Sequence, residues 1–314
     1  MKRVKPEVVG LSASRLEHIN KFMQGSVDQQ KIAGGITLLA RRGQVAHFEC
    51  VGMRNIEAGQ PMQPGTIFRI YSMTKPIASV AAMMLYEAGH FLLDDPVADY
   101  IPEFKETPVF AGGDERDMEL VPQEQPLTIR HLLTHTSGLV YGNPEGSPVE
   151  KWVWQKDRET EEIIAEETLA EWIPRLAKLP LANQPGKAWQ YGVSTAADYL
   201  QFAQMLLNRG TLSRVRLLSR KTIELMTSNN MPPGLHPWDD PAFSFGLGGS
   251  IMTDVARAGS LGSVGIFSWG GAASTDQWVD PKEDMIGLFL IQYMPYFGRA
   301  MQQYRVLAYQ AIDD

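Results

Sequence analysis

The chain has 314 residues, 44% of them hydrophobic and 21% charged, the balance of an ordinary globular enzyme with a sizeable core in one large domain or two interleaved ones. A net charge of −7 with no dense basic cluster argues against a nucleic-acid partner. No apolar run reaches the length of a bilayer crossing, and no apolar leader follows the basic start Met1-Lys2-Arg3-Val4-Lys5, so a cytoplasmic protein with no membrane partner is expected.

Ser12 is placed to cap a helix over residues 15–23, whose apolar side chains recur at helical spacing. Residues 35–40 and 44–51 flank Arg41-Arg42-Gly43 in the pattern of a hairpin. The lone cysteine, Cys50, falls in the second of these strands, where an inert thiol without a disulfide is expected. Residues 66–70 read as a short strand that delivers the chain to Ser72.

Tyr71-Ser72-Met73-Thr74-Lys75-Pro76 leads into an apolar stretch over 77–86 and then Gly89, the pattern of a helix buried on most sides with a glycine just past its end. Ser72 then stands at the helix N-terminus, where unpaired N–H groups and the helix dipole favour negative charge. Lys75 lies on nearly the same face. A serine hydroxyl becomes a good nucleophile when a base takes its proton, and a lysine serves as that base only when neutral. Bringing a lysine from its usual pKa to near 7 takes roughly 4 kcal/mol, and burial beside a positive helix end pushes that way. With 17 serines and 12 lysines in the chain, a Ser-x-x-Lys string arises roughly 0.6 times by chance. Its place ahead of an apolar helix is what makes Ser72 and Lys75 candidates for nucleophile and base.

Beyond this helix, residues 92–102 are turn-rich and 112–119 read as a solvated loop. Residues 127–139 begin with a threonine cap and end at a glycine stop. His131 and His135 stand four apart, the spacing of helical metal ligands, but Leu132 replaces the glutamate of the zinc-protease string and no third ligand is evident; structural roles and no metal are expected. Residues 148–182 read as helical, with Trp152, Trp154 and Trp172 in the core. After a break at Pro185-Gly186-Lys187 come helices over 195–208 and 219–227, strands over 243–251, 272–279 and 285–293, and a last helix over 298–311. This order predicts an α+β fold. An antiparallel sheet flanked by helices takes residues 1–90 and 195–314, with residues 91–194 inserted as a helical lobe and a cleft between the lobes.

Four stretches in order carry a family likeness: Ser72-Met73-Thr74-Lys75, residues 127–139, Tyr191-Gly192-Val193 and Trp269-Gly270-Gly271-Ala272. Together they resemble the motifs of the family VIII carboxylesterases, which share the fold of class C β-lactamases and penicillin-binding DD-peptidases. The similarity runs from about Val9 to the C-terminus. It implies a β-lactamase/transpeptidase-like fold and a cofactor-independent acyl-enzyme mechanism. In that mechanism Ser72 is the acylated nucleophile, Lys75 its base, and Tyr191 the group that shares the proton and passes it to the leaving alcohol. The N–H groups of Ser72 and Ala272 would form the oxyanion hole.

The resemblance also sets Trp269, Gly270 and Gly271 at the substrate. Trp269 stands where β-lactamases and DD-peptidases carry the lysine of their KTG motif, and an indole cannot pair with a carboxylate. Val193 likewise replaces the asparagine that holds a β-lactam amide. Short-chain acyl esters are therefore the expected small-molecule substrates. A β-lactamase or DD-peptidase is the alternative, and a non-catalytic homologue of the same fold a third reading. No serine has the Gly-x-Ser-x-Gly surround of an α/β-hydrolase.

One departure from the family is large. In its members a long segment separates the tyrosine motif from the helix that begins Ser194-Thr195-Ala196-Ala197-Asp198; here the two are fused on a shared Ser-Thr. The implied deletion removes a helix and loops that wall the acyl side, which predicts a more open site and a homodimer that covers newly exposed apolar surface.

Overall fold

The computed structural model describes residues 2–159, 168–191, 199–212 and 215–314. In chain order its helices are α1 (Ala13–Asp28), α2 (Thr74–Glu87), α3 (Ile129–Leu133), α4 (Pro148–Glu159), α5 (Leu169–Leu176), α6 (Tyr199–Leu207), α7 (Arg220–Met226), α8 (Val255–Ala258) and α9 (Gly298–Tyr309). The strands of the first half are β1 (Gly34–Arg41), β2 (Gln44–Asn55), β3 (Gln60–Pro61), β4 (Val109–Gly113) and β5 (Met118–Val121). Those of the second are β6 (Thr211–Leu212), β7 (Val215–Arg216), β8 (Phe243–Phe245), β9 (Ser250–Met252), β10 (Phe267–Gly271), β11 (Thr275–Asp280) and β12 (Met285–Ile291). Two compact units result, one of residues 1–84, 194–229 and 241–314, the other of residues 85–193 and 230–240.

The first unit is built on an eight-stranded antiparallel sheet in the order β3-β2-β1-β12-β11-β10-β9-β8. Ser12 caps α1 by accepting the N–H of Arg15. The β1–β2 hairpin turns through Arg42 and Gly43, both at positive φ, as a two-residue hairpin loop requires. Pairing of β1 with β12 joins the two ends of the chain. On one face of the sheet α1 and α9 close over Trp278 and Tyr304, both fully buried, whose rings meet edge to face at 5.3 Å. Burying each such side chain is worth roughly 2–3 kcal/mol. Tyr304 donates to the Leu38 carbonyl and Tyr309 to the Asp280 carboxylate, both at 2.7 Å, so the hydroxyls taken into this core keep partners. The turn between β8 and β9 lies directly on α2. A Cβ at Gly248 would come 2.2 Å from Ser79 Oγ, and glycine permits the approach.

The closing region holds five strands where the sequence pattern predicts three. Gly246 to Gly249 fold the first predicted strand into the β8–β9 hairpin, and residues 267–271 pair with both β9 and β11. Residues 66–70 form no strand. The Gln292 side chain accepts the Arg69 N–H at 3.0 Å and donates to the Arg69 carbonyl at 3.2 Å, so an amide side chain does the work of a ladder neighbour. Nor is α2 buried on most sides: Thr74, Lys75, Ser79, Val80 and Met83 face inward, but Ala78, Ala81, Met84 and Leu85 are exposed. Just upstream, Ile67 is 95% exposed. An apolar run cannot reveal which of its faces has a neighbour, which is why periodicity over-predicts burial here.

The second unit has two small cores, one around Val97, Phe104, Leu127 and Ala177, the other around Val140, Val149 and Val153 with Trp152 packed on it. The expected solvated loop over 112–119 is mostly the β4–β5 hairpin. Thr128 caps α3 by accepting the His131 N–H, while His131 Nδ1 accepts the Thr128 N–H. That helix stops at Leu133, before the expected glycine, so His131 and His135 share no helical face. Bidentate pairing of Arg130 with Asp94 and its bond to Asn230 at 3.2 Å tie residue 230 to α3. Residues 160–167, Val193, the Ser194-Thr195 junction and the predicted start of the helix over 195–208 lie outside the described residues.

Candidate active site

Ser72 sits in a 3-10 turn, Tyr71–Met73, that runs straight into α2. The turn is pinned from the sheet side. Thr275 Oγ1 donates to the Ile70 carbonyl at 3.3 Å, the Met73 N–H donates to the same oxygen at 3.1 Å, and Gln292 holds Arg69. Between these anchors Tyr71 takes a φ of 44°, a conformation that costs a bulky residue about 1–2 kcal/mol and recurs at functional sites. Ser72 is half-buried there.

Lys75, in the first turn of α2, is 2% exposed. Burial lowers its pKa to about 8, because taking an ammonium out of water disfavours its charged form. A useful fraction of the amine is then neutral at physiological pH, as a base for the Ser72 hydroxyl must be.

The other predicted residues of this unit gather at the end of β10. A Cβ at Gly271 would stand 2.2 Å from the Ile70 carbonyl, so the Gly270-Gly271 end of the strand lies against the backbone just before Ser72. Ala272 follows, exposed, in the turn to β11. Trp269 is buried, its ring edge-on to Phe245 at 5.1 Å.

Tyr191 belongs to the second unit and is held there by loops. The Gln190 N–H donates to the His135 carbonyl, the Gly186 N–H to Thr136 and the Ala182 N–H to Gly138, each at 2.8 Å. His135, itself at φ 57° and buried, places its ring 5.0 Å from that of Tyr191. Tyr141 and Trp189 flank the same ring at 5.8 and 6.4 Å, and Trp238 packs on Trp189 at 5.1 Å. The motif spacing marks Tyr191 but gives no role to His135, Tyr141, Trp189 or Trp238. A Trp-x-Tyr pair following a Pro-Gly break was the signal available for Trp189.

Elsewhere, burial and then the neighbouring Glu49 raise the Cys50 thiol above its ordinary pKa, with Arg3 opposing, the setting of an unreactive thiol. Among the described residues no three His, Cys, Asp or Glu side chains are grouped so as to hold a metal ion, and no helix is long and apolar enough to cross a membrane.

Protein Rv1367c of Mycobacterium tuberculosis is 29% identical to this chain over 361 residues, covering 85% of this chain and 88% of that one. Esterase EstB of Burkholderia gladioli is 36% identical over 191 residues, covering 60% of this chain and 44% of EstB. The solved structure of EstCE1, described as a hydrolase with promiscuous acyltransferase activity, superposes with a TM-score of 0.76 at 21% identity, covering 94% of this chain and 99% of that one; it speaks for the β-lactamase-like fold. Residues 19–193, which hold Ser72, Lys75 and Tyr191, match the Beta-lactamase family. The chain belongs to that family.

Proposed function

We propose that the protein is a serine hydrolase that cleaves short-chain acyl esters through an acyl-enzyme on Ser72. The observation that carries the reading is a lysine buried to 2% exposure and held near a pKa of about 8, three residues after a serine in a strained turn. Likeness to EstB, which bears the name esterase, supports the ester-hydrolysing class. In the proposed reaction neutral Lys75 takes the Ser72 proton as Oγ attacks the ester carbonyl. The tetrahedral oxyanion is received by the Ser72 and Ala272 N–H groups. Tyr191 passes the proton to the departing alcohol, and water then attacks the acyl-enzyme, returning the carboxylic acid and free Ser72.

Trp269 favours uncharged esters over β-lactams. Packed against Phe245, it brings no cation to a substrate carboxylate. A comparison of p-nitrophenyl butyrate with a chromogenic cephalosporin tests this: kcat/KM should be at least about 100-fold higher for the ester, and faster turnover of the cephalosporin would reverse the assignment. The name of EstCE1 supports a second fate for the acyl group, transfer to an alcohol in place of water.

The deletion and the homodimer belong to the same proposal. An alignment of 361 residues that covers only 85% of a 314-residue chain leaves gaps on this chain's side, as a missing segment would. The exposed α2 residues Met84 and Leu85, at 44% and 52%, are apolar surface for a second copy to cover. Sedimentation velocity should give twice the chain mass at micromolar concentration, and a monomer there would remove the dimer.

A further inference from the structure

Three separate loops of the second unit bring aromatic rings into one continuous run. Tyr141 meets Tyr191, Tyr191 lies nearly parallel to Trp189 at an interplanar angle of 23°, and Trp189 meets Trp238. The far end is unusual for a packing residue. Trp238 is 55% exposed, although an indole gains most when fully covered.

The backbone there is strained. Trp238 has φ 56° and ψ 20°, and Asp239 follows at φ 56°, two consecutive bulky or β-substituted residues in a region that favours glycine. The turn is fixed by bonds from the Asp239 N–H to the His236 carbonyl and from the Asp240 N–H to the Pro237 carbonyl, with Pro237 buried beneath. A conformation that costs free energy in order to leave an indole half in water is the mark of a surface kept for a ligand.

We infer that Trp238, Trp189 and Tyr141 form the subsite for the alcohol part of the substrate, and that it takes aromatic or other flat apolar alcohols by stacking. The inference rests on the esterase reading above, in which Tyr191 hands its proton to the departing alcohol. Groups that flank Tyr191 then meet that alcohol rather than the acyl chain. The run is an open row of tilted and stacked faces, which suits a planar ring system better than a compact aliphatic group.

The test uses the full chain and two esters whose leaving alcohols differ little in reactivity, 2-naphthylmethyl butyrate and butyl butyrate. The wild type should prefer the naphthyl ester, and Trp238→Gly, which suits the positive φ while removing the ring, should lose about tenfold of that preference. Butyl butyrate, whose alcohol enters the same subsite without a ring to stack, should lose several-fold less than the naphthyl ester. Trp238→Phe should recover most of the preference. Equal losses for both esters, or an unchanged preference, would overturn the subsite. Binding of 2-naphthylmethanol needs no turnover, so it separates the two readings. If neither ester is hydrolysed the esterase reading fails, while naphthylmethanol bound about tenfold more weakly by Trp238→Gly still supports the subsite and binding that is absent or unaltered rejects it.

Discussion

Replacing Ser72 by alanine is expected to lower kcat/KM for p-nitrophenyl butyrate by about 10⁵-fold, because it removes the only atom proposed to carry the acyl group and leaves the bound ester to attack by water alone. The fold should be nearly unchanged. Ser72 is half-buried, and its turn is held by backbone and by Thr275 and Gln292 rather than by its own hydroxyl. A thermal midpoint within a few degrees of wild type, together with loss of labelling by a fluorophosphonate, is the expected pair of results. Activity within tenfold of wild type would take the nucleophile away from Ser72.

Lys75→Met is the second large effect, with kcat/KM lowered by about 10³–10⁴-fold. In the wild type the rate should climb with pH through a limb centred near the Lys75 value of about 8. Below that pH the amine holds its proton and cannot accept another, so about a tenth of the enzyme is active at pH 7. Stability should move with the same group. Its folded-state pKa lies below the ordinary lysine value of 10.5, so between about 8 and 10.5 the unfolded chain binds more protons and stability rises with pH. Below about 8 the buried ammonium carries its full cost, and methionine in its place should raise the thermal midpoint at pH 7 by several degrees. Tyr191→Phe should slow alcohol release but keep the limb near 8. A rate independent of pH from 6 to 9, or a methionine variant as active as wild type, would remove the lysine from the mechanism.

Where a feature depends on neighbours in sequence, the chain declares it. Ser12 as a cap, the hairpin around Arg41-Arg42-Gly43, a helix within 219–227 and the extent of α9 all follow from local chemistry, and the structure has each of them. The helix that starts just after Ser72 and carries Lys75 in its first turn was legible for the same reason. Features made by distant partners were not. Phe267-Ser268-Trp269-Gly270-Gly271 has two glycines and little strand character of its own, yet it is a strand because β9 and β11 offer edges on both sides. The predicted strand over 66–70 is absent, and Arg69 is held instead by a side chain 223 residues away. The aromatic run at Tyr191 needs loops around residues 141, 189 and 238, brought together by bonds such as Gln190 to His135 and Arg130 to Asn230, and no spacing announces it.

The most direct test is brief exposure of the folded protein to p-nitrophenyl butyrate, acid quench and mass spectrometry of its peptides. The account predicts a butyryl adduct on Ser72, absent from Ser72→Ala and slow to form in Lys75→Met. An adduct on another residue, or hydrolysis that proceeds with Ser72 never acylated, would contradict it.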